Sequence, residues 1–508
     1  MRFHRVSYLL LAGIVGLQGG MTLPQVTAAE RSPRQTALPS KGVAQAVPTA
    51  GICNAQLGSA IARVIDRSTV ARSQWGILIQ TQGPSSVQQT LFSRNATTAL
   101  IPASNNKIFT TAAALRQLGA QHRFRTTVTG NGPTPTVETL RIMGQGDPSL
   151  TTQQLTDLSQ QLRQKGIQQV NLLIGDDTYF QGAAINPYWD PEDTLAGYGA
   201  AVNSLILNQN AIGLTLFPTR LGQPLRVEWG DPLDATDWKV DNQTTTVSAQ
   251  ASEYIDGVRV PGQWVVRVSG QLRVGSDSEF VAAAIPNPGN YLVQRFRTVL
   301  GQTGIAVKQS TLVKRTPAPP GEVTLAAVES PPLGQLLQET NQESNNLFAE
   351  VLLKTLGRLQ APTTSDPSRS GVSGVQGILA PLGVAPTGYS MVDGSGLADR
   401  NRATPQALVQ TLQAMAQAPE AAIFRASLPI AGVSGTLKNR FKNTALQGQL
   451  AAKTGTISGV VALSGYYTPP AYPPLVFSIL VNDGSVSGAT LRRTVDEVVL
   501  LLPRLRRC

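Results

Sequence analysis

The sequence predicts an α+β protein in which an antiparallel sheet flanked by helices is interrupted by a large inserted α/β to mostly β region. Three apolar runs near the end of the chain, 450–456, 460–467 and 475–481, lie between Gly and Pro turns and predict consecutive antiparallel strands. Helical periodicity precedes these runs at about 404–418 and follows them at 490–502. A chain of 508 residues is long enough for two to four domains, which leaves room for the inserted region.

The first 28 residues predict a secretory signal peptide. Two arginines precede an apolar run from Val6 to about Val15, and Val26-Thr-Ala28 offers a small-residue cleavage site. The alternative is a membrane anchor, but the run is shorter than the roughly 20 residues that a spanning helix needs. We therefore expect a protein secreted to the periplasm or cell envelope, with residues 29–52 as a flexible tether.

The chain has two cysteines, Cys53 and Cys508, which lie near the two ends of the predicted mature protein. In an oxidising compartment such a pair can join the chain ends through a disulfide. The alternative is two unpaired thiols, because sequence spacing does not establish contact.

The formal net charge of +11 raises the question of an anionic partner such as nucleic acid. The arginines are scattered, however, and no basic run is interleaved with aromatic residues. We therefore interpret the charge as a solvated basic surface and expect no nucleic acid as a partner. The sequence does not indicate an oligomeric state.

The first part of the predicted main domain, residues 53–122, begins with a short helix from Gln56 to Val64. Two strands follow at Trp75–Gln80 and Val87–Ser93. A further helix then runs to Gly119, with Ser104 at its N-terminus. The backbone N–H groups and the helix dipole at such a position favour negative charge near the serine.

Residues 123–320 form the predicted insertion, and this segment contains no candidate nucleophile. Turn signals at Gly146-Asp-Pro-Ser149 and Gly175-Asp-Asp-Thr178 separate its elements. The predicted elements are strands at 124–129, 140–143, 225–229, 244–249 and 264–272 and a helix at 155–165.

Residues 321–508 complete the predicted main domain. A helix at Leu333–Thr340 is followed by Ser344-Asn-Asn346 on a turn and by a second helix that ends near Gly357. Thr404-Pro405 is a good N-cap and first-turn pair for the helix that precedes the three strands.

A serine and a lysine provide the first candidate chemistry. Lys107 follows Ser104 by three residues, so on a helix its amine lies on the same face, within reach of the hydroxyl. Histidine is a poor rival, because His4 lies in the predicted signal peptide and only His122 remains. A lysine base must be neutral, which requires burial or a nearby positive charge such as that of Lys453.

Three motifs occur in a fixed order: Ser104-x-x-Lys107, Ser344-x-Asn346 and Lys453-Thr-Gly455. In this order they resemble the motifs of penicillin-binding proteins and serine β-lactamases. More narrowly, the chain resembles the class C low-molecular-mass penicillin-binding proteins, the D-alanyl-D-alanine carboxypeptidase/endopeptidase family. The gap of 240 residues from Ser104 to Ser344, which that family fills with inserted domains, supports this likeness. Further support comes from the phrases Tyr198-Gly-Ala200, Pro286-Asn-Pro288, Asp393-Gly-Ser-Gly-Leu397 and Gly432-Val-Ser-Gly-Thr-Leu437.

The resemblance implies a serine β-lactamase/transpeptidase-like domain with Ser104 as the nucleophile and Lys107 as its base. It implies that Ser344 passes the proton to the leaving D-alanine and that Asn346 binds the substrate amide. Lys453, Thr454 and Thr456 would bind the terminal carboxylate, and the backbone N–H groups of Ser104 and Thr456 would form the oxyanion hole. Peptidoglycan stem peptides and covalently inhibiting β-lactams are the implied partners, with no metal and no organic cofactor.

The chain departs from the family pattern at one place that bears on specificity. The family often has Ser-Arg after Asp-Gly-Ser-Gly-Leu, whereas this chain reads Ala398-Asp399-Arg400, which bears on contacts to the distal part of the peptide. Asp176 or Asp177 is a candidate to face the ammonium group of a diamino acid in the stem peptide. The alternative for both is an ordinary turn aspartate.

Two other functions remain open from the sequence. A serine β-lactamase would use the same serine and lysine but hydrolyse its acyl-enzyme rapidly, and no acidic residue for a class A deacylation step can be placed by motif. A catalytically weak wall-binding protein would keep the fold without turnover. The favoured hypothesis is a serine D,D-peptidase that acts as a carboxypeptidase, an endopeptidase or both.

Overall fold

The computed structural model describes residues 51–313 and 321–508. The predicted signal peptide and nearly all of the predicted tether lie outside the described residues. The elements before the insertion are β1 (Ile52–Cys53), α1 (Asn54–Ile65), β2 (Gln74–Thr81), β3 (Thr90–Arg94) and α2 (Lys107–Leu118). The inserted region contains β4 (Arg125–Asn131), β5 (Thr136–Gly144), α3 (Thr152–Gln164), β6 (Gln169–Asp176), β7 (Ala211–Phe217), β8 (Arg226–Trp229), β9 (Lys239–Val247), β10 (Tyr254–Arg259), β11 (Val265–Arg273), β12 (Glu279–Ala284), α4 (Pro288–Gln302), β13 (Ala306–Val313) and β14 (Val323–Glu329). The remaining elements are α5 (Leu333–Gln342), α6 (Asn346–Gln360), α7 (Pro367–Leu379), β15 (Tyr389–Ser390), β16 (Arg402–Ala403), α8 (Pro405–Gln417), α9 (Ala421–Ala426), β17 (Ala451–Ile457), β18 (Val460–Tyr467), β19 (Leu475–Asn482), α10 (Gly488–Val499) and β20 (Leu505–Arg506).

The main domain is organised around one antiparallel sheet with the strand order β17-β18-β19-β2-β3. Successive side chains of a strand point to opposite faces of the sheet. Helices pack on both faces, so the side chains on both faces are buried. In β2, Leu78 packs into the core shared with the helices α2, α6 and α8, whereas Ile77 and Ile79 pack against α1 and α10. The predicted antiparallel sheet flanked by helices is therefore confirmed, and the lysine of the Lys-Thr-Gly motif lies on its edge strand.

The two ends of the described chain meet beside this sheet. β1 pairs with β20 in parallel register, and Cys53 and Cys508 form a disulfide with a Cα–Cα distance of 5.7 Å. The predicted pairing of the two cysteines is therefore present in the structure. The bond closes a loop with a sequence separation of 455 residues, so it ties α1 to the end of the chain.

The inserted region is α/β in character. Its five-stranded sheet has the order β13-β6-β5-β4-β14, with β5, β6 and β13 parallel and the other pairs antiparallel. Side chains from α3 and α4 complete its buried core. Two three-stranded sheets, β10-β11-β9 and β12-β7-β8, form the rest of the strand structure.

The boundaries predicted for the insertion differ from the structure at two points. The strand β14, Val323–Glu329, pairs with β4, so the inserted sheet extends beyond the predicted boundary at residue 320. In the other direction, Trp189, Ala200 and Val202 belong to the core of the main domain. The first difference arises because the apolar pattern of a strand does not say which sheet it joins. The second concerns residues outside the strands, whose packing depends on contacts distant in the sequence.

The helices α4 and α7 were missed by the sequence analysis. Both begin with proline at the first helical turn, after Asn287 and Asp366 respectively, which is a recognised N-terminal signal. Three glycines within α7 weaken the helical pattern, but Gly371 is needed there because a Cβ would lie 2.1 Å from the carbonyl oxygen of Leu353 in α6.

In the described part of the chain, no helix is both long and apolar enough to cross a bilayer.

Candidate active site

The nucleophile candidate Ser104 lies in a short 3₁₀ turn, Ala103–Asn106, which leads directly into α2. The sequence predicts an α-helical N-terminus here. The structure places Ser104 at the start of the helical segment but in a tighter 3₁₀ turn. Ala103 has a φ of +46°, an uncommon left-handed conformation for a residue with a Cβ. Strained backbone of this kind is found at functional sites, where the surrounding structure enforces it.

Lys107 is completely buried and its Nζ has three hydrogen-bond partners. It lies 3.0 Å from Ser104 Oγ, 2.6 Å from Asn346 Oδ1 and 2.8 Å from the carbonyl oxygen of Ser395. The amide and carbonyl oxygens only accept, whereas a hydroxyl can also donate. A neutral amine can therefore donate to the two oxygens and direct its lone pair at the Ser104 proton.

The charge state of Lys107 suits this role. Burial lowers the pKa of Lys107 to about 7, even though the charges of Asp393 and Glu350 act in the opposite direction. The sequence analysis offered burial or a nearby positive charge as the cause, and the structure favours burial. The pKa of Lys453 is also lowered, first by burial and then by the charge of Lys107. The repulsion between the two lysines therefore acts on Lys453.

His122 is not placed to compete with Lys107 as a base. It follows α2 and packs edge-on against Phe124, with ring centroids 5.1 Å apart. The contact that the structure gives to the Ser104 hydroxyl is with the Lys107 amine.

Asn346, the first residue of α6, has both ends of its amide engaged. Its Nδ2 donates to the carbonyl oxygen of Tyr198 at 2.9 Å, which fixes the amide so that Oδ1 faces Lys107. The resemblance implies that Asn346 binds the substrate amide. In the structure, Asn346 contacts the candidate base directly. Its Oδ1 has two lone pairs, and the one that does not face Lys107 can still accept a hydrogen bond from a substrate N–H.

Ser344 lies on the turn between α5 and α6, as predicted, with a left-handed φ of +60°. Its Oγ accepts a hydrogen bond from Lys453 Nζ at 2.9 Å, and the same amine donates to the carbonyl oxygen of Thr454 at 3.0 Å. Ser344 is therefore coupled to Lys453, while Ser104 is coupled to Lys107. The site contains two serine–lysine pairs.

The edge strand β17 lies directly against the turn that carries the nucleophile. A Cβ at Gly455 would lie 2.7 Å from the Pro102 carbonyl oxygen, so glycine permits this close approach. Ile457 and Val460 flank the two-residue turn at 458–459, so they form a hydrogen-bonded pair of the hairpin. Hydrogen-bonded and non-hydrogen-bonded pairs alternate along an antiparallel ladder, so the next pair, Thr456 and Val461, is non-hydrogen-bonded. The N–H of Thr456 therefore points away from β18, towards the outer edge where the second oxyanion donor is expected.

Further contacts hold β17 in this position. The Oγ1 atoms of Thr436 and Thr454 lie 2.7 Å apart, which ties the Gly432–Leu437 segment to the Lys-Thr-Gly motif. The side-chain amide of Asn105, beside the nucleophile, lies 2.6 Å from Ser464 Oγ on β18. The strand and the nucleophile turn are thus fixed to each other by hydrogen bonds as well as by the glycine contact.

Three groups of the site were missed as functional candidates by the sequence analysis: the carbonyl oxygens of Ser395 and Tyr198 and the hydroxyl of Thr436. All three lie in phrases that the sequence analysis had singled out. A backbone carbonyl has no side-chain signature, so only the glycine-rich context of these phrases pointed to them.

Asp176 and Asp177 are both buried and are engaged by groups of the inserted region. Asp176 Oδ2 lies 3.2 Å from Arg141 Nη1, and the backbone N–H of Thr178 donates to its Oδ1. Asp177 accepts hydrogen bonds from the Asn203 side chain, from Ser204 and from the backbone of Leu205. These contacts favour the structural alternative for both aspartates. Asp177 borders a cavity of about 310 Å³ whose lining includes none of the motif residues.

The chain is similar to a family of known proteins and to solved structures. A family model described as the D-Ala-D-Ala carboxypeptidase 3 (S13) family matches residues 57–505. A D-alanyl-D-alanine carboxypeptidase of Actinomadura sp. (strain R39) is 33% identical over 417 residues, covering 79% of this chain and 76% of the relative. The crystal structure of penicillin binding protein 4 from Haemophilus influenzae matches this chain with a TM-score of 0.71 at 23% identity. The match covers 87% of this chain and 97% of the Haemophilus chain. A β-lactam complex of the same Haemophilus protein has a TM-score of 0.66 at 23% identity and covers 88% and 98% of the two chains.

Proposed function

Because the chain belongs to the D-Ala-D-Ala carboxypeptidase 3 (S13) family, we propose that it cleaves D-alanyl-D-alanine bonds of peptidoglycan stem peptides through an acyl-enzyme on Ser104. The family membership makes it a serine D,D-peptidase of the class C penicillin-binding proteins. The residues that perform the reaction are part of the proposal. The observation that supports them best is the buried Lys107 amine, which lies 3.0 Å from the Ser104 hydroxyl and has two acceptor-only oxygens as its other partners.

The first half-reaction forms the acyl-enzyme. Neutral Lys107 removes the hydroxyl proton while Ser104 Oγ attacks the carbonyl carbon of the penultimate D-alanine. The negative charge that develops on the carbonyl oxygen is stabilised by the N–H groups of Ser104 and Thr456. Losing one donor of this kind typically lowers the rate by about 10²- to 10³-fold.

Collapse of the tetrahedral intermediate breaks the peptide bond and expels the terminal D-alanine. Its amine receives, through Ser344, the proton that Lys107 took from Ser104, so that Lys107 is neutral again. The Ser344 hydroxyl contacts Lys453 Nζ at 2.9 Å. The D-alanine carboxylate lies against Lys453, Thr454 and Thr456, which orient the leaving group. A bound carboxylate also raises the pKa of Lys453, because a nearby negative charge favours the protonated amine. The oxygen of Asn346 accepts from a substrate amide while it holds Lys107.

The second half-reaction transfers the acyl group from Ser104 to water. Neutral Lys107 takes a proton from the attacking water and returns it to Ser104 Oγ as the acyl bond breaks, which regenerates the starting enzyme. A D,D-crosslink presents the same D-alanyl carbonyl with a longer leaving group, so endopeptidase activity requires only room beyond the carboxylate site. A β-lactam would acylate Ser104 by the same first step, but its ring opens without releasing a leaving group. The adduct therefore persists and blocks the site.

We propose the periplasm or cell envelope as the site of action. The apolar run with a cleavage pattern in the first 28 residues supports export, and the Cys53–Cys508 disulfide suits an oxidising compartment. Both features agree with a substrate that lies outside the cytoplasmic membrane.

The proposed activity is tested with the mature protein and two synthetic pentapeptides that end in D-Ala-D-Ala or in D-Ala-L-Ala. We expect release of the terminal D-alanine from the first peptide only, and loss of this release in Ser104→Ala. Release by Ser104→Ala at the unmodified rate would contradict the proposal. Purified cross-linked muropeptides, analysed in parallel for conversion to monomers, separate endopeptidase from carboxypeptidase activity.

The β-lactamase alternative is decided by the lifetime of the penicillin adduct. A D,D-peptidase keeps the label for many minutes, whereas a β-lactamase loses it within seconds. The wall-binding alternative predicts sedimentation with peptidoglycan by Ser104→Ala together with no D-alanine release by the unmodified protein.

A further inference from the structure

The helix α6 presents two polar residues, Asn346 and Glu350, one turn apart on the same face. Asn346 contacts the candidate base directly. Glu350 is 2% exposed, and a buried carboxyl group is costly unless hydrogen bonds compensate its lost hydration. The Ser-x-Asn motif stops at Asn346, so the buried glutamate one turn later has no role in the reaction described so far.

The hydrogen bonds of Glu350 lead to Lys107 through one backbone segment. Its Oε1 accepts from the backbone N–H groups of Gly394 and Ser395, both at 2.8 Å. The carbonyl oxygen of Ser395 in turn accepts from Lys107 Nζ at 2.8 Å. The N–H and C=O of Ser395 flank the same Cα, so fixing the first restricts where the second points.

The rest of this loop is held by a different carboxylate. Asp393 accepts from the backbone N–H groups of Gly396 and Ala398, both at 2.7 Å, and from the side chains of Trp189 and Asn401. None of these bonds involves the N–H of Ser395. Within the described residues, Glu350 is the side chain that binds the N–H of Ser395, while the Thr110 hydroxyl donates to the Gly394 carbonyl oxygen of the same peptide unit at 2.7 Å.

The loop contacts Glu350 through an acceptor oxygen of the carboxyl group. Burial, together with the nearby charge of Asp393, raises the pKa of Glu350 to about 8, against the effect of Lys354. Lys354 itself donates to the carbonyl oxygens of Ala183 and Val202. Burial therefore favours the neutral acid, and a carboxyl group accepts through its carbonyl oxygen whether or not it is protonated, so the two contacts to the loop do not require the charge.

We propose that Glu350 is a positioning residue for the proposed base: by binding the N–H groups of Gly394 and Ser395 it holds the Ser395 carbonyl against Lys107 Nζ. The helix α6 then orients the amine at two points, directly through Asn346 and indirectly through Glu350. The inference rests on the proposed function, since it assigns Glu350 a part in the same acylation step.

The test compares three variants of the mature protein by their second-order rate of acylation with fluorescent penicillin. Glu350→Gln keeps an acceptor oxygen at Oε1 and removes the acid. Glu350→Leu has a similar volume and removes the acceptor. Leu352→Ala serves as the control for general destabilisation of the helix, because Leu352 is 2% exposed on the same helix, packs into the core and offers no polar group to the loop.

We expect Glu350→Gln to acylate within about threefold of the unmodified rate at pH 8, with a pH midpoint no higher than that of the unmodified protein. Glu350→Leu should acylate at least about tenfold more slowly, and the Gly394 and Ser395 amides should exchange hydrogen faster. Leu352→Ala should lower the thermal midpoint but retain acylation. Equal rates for Glu350→Leu and Glu350→Gln, or an equal loss in Leu352→Ala, would overturn the inference.

If Glu350→Leu does not fold, Glu350→Asp takes its place. Glu350→Asp keeps the acid, but its side chain is one methylene shorter, so the acceptor oxygen lies farther from the loop. The variant should therefore acylate more slowly than Glu350→Gln. Faster acylation by Glu350→Asp would contradict the inference. Failure of the proposed function looks different, because the unmodified protein would then carry no penicillin label at Ser104.

Discussion

The Nζ of Lys107 lies 2.6 Å from Oδ1 of Asn346, closer than the 3.0 Å that separates it from Ser104 Oγ. The amide of Asn346 cannot turn away, since its Nδ2 donates to the Tyr198 carbonyl oxygen. The first residue of α6 therefore fixes an amine that belongs to the first residue of α2. This contact joins the Ser-x-x-Lys and Ser-x-Asn motifs into one site.

The pH dependence of acylation follows from the lowered pKa of Lys107. Because that pKa is about 7, the neutral amine predominates above pH 7 and the protonated form below it. We expect the second-order rate of acylation by penicillin to rise with pH through a midpoint near 7 and to fall about tenfold per unit well below it. Stopped-flow or quench measurements from pH 5 to 9 test this. A flat profile, or a rate that falls as the pH rises from 6 to 8, contradicts a lysine base.

Substitution of Asn346 separates orientation from charge. Asn346→Leu removes the acceptor, so we expect acylation to slow by about 10²-fold at every pH. Asn346→Asp places a carboxylate next to the amine, which raises the pKa of Lys107 and moves the midpoint upward by about one unit or more. Acylation by Asn346→Asp should therefore recover as the pH is raised, whereas that by Asn346→Leu should not. Identical profiles for the two variants would show that the contact does not act on Lys107.

Gly396 permits the glycine-rich loop to pack against the nucleophile turn. A Cβ at this position would lie 1.9 Å from the Ala103 carbonyl oxygen, and the backbone has a φ of +83°. Gly383 has a similar φ of +86° with nothing within 4 Å, so Gly383→Ala is a matched control for backbone strain alone. Both alanine variants should lose about 1–2 kcal/mol of stability from the left-handed conformation.

Only Gly396→Ala should also displace Ala103 and slow acylation, by at least about 10²-fold, because small misplacements of a nucleophile have large effects on rate. Acylation rates of the two variants, measured at a temperature where both are folded, test this. An equally slow Gly383→Ala would mean that general destabilisation is the cause.

The disulfide should affect stability and leave the chemistry unchanged. For the loop of 455 residues, the chain-entropy model sets an upper figure of about 6 kcal/mol, and measured disulfides typically contribute about 2–4 kcal/mol. We expect Cys53→Ser/Cys508→Ser to lower the thermal midpoint by several degrees while the acylation rate at 25 °C stays within about twofold. The control is the unmodified protein under reducing conditions. A variant as stable as the oxidised protein contradicts this expectation.

The sequence was sufficient for the main sheet and the motif residues, because their signals are local. The strand at Val460–Tyr467 was predicted with its observed bounds, and Thr404 caps α8 through the Ala407 N–H as its residue type predicted. The likeness to a known family supplied the proposed roles of Ser104, Lys107 and Ser344, which no periodicity can give.

The sequence was not sufficient where non-local contacts decide. The strand β14 joins the inserted sheet by pairing with β4, and Asp177 turns inward to Asn203 and Ser204. Likewise, the orientation of Lys107 depends on a carbonyl at Ser395, 288 residues away in sequence. Contacts of this kind leave no local pattern, and the glycines that permit them show only that some close approach is needed.

The most direct test of the central claim is to locate the covalent penicillin adduct by mass spectrometry. Trypsin cleavage after Arg94 and Lys107 yields a peptide of residues 95–107, in which Ser104 is the one serine. We predict that fluorescent penicillin labels this peptide, that fragment ions place the adduct on Ser104, and that a folded Ser104→Ala protein is unlabelled. An unlabelled native protein, or an adduct on any other residue, would contradict the account.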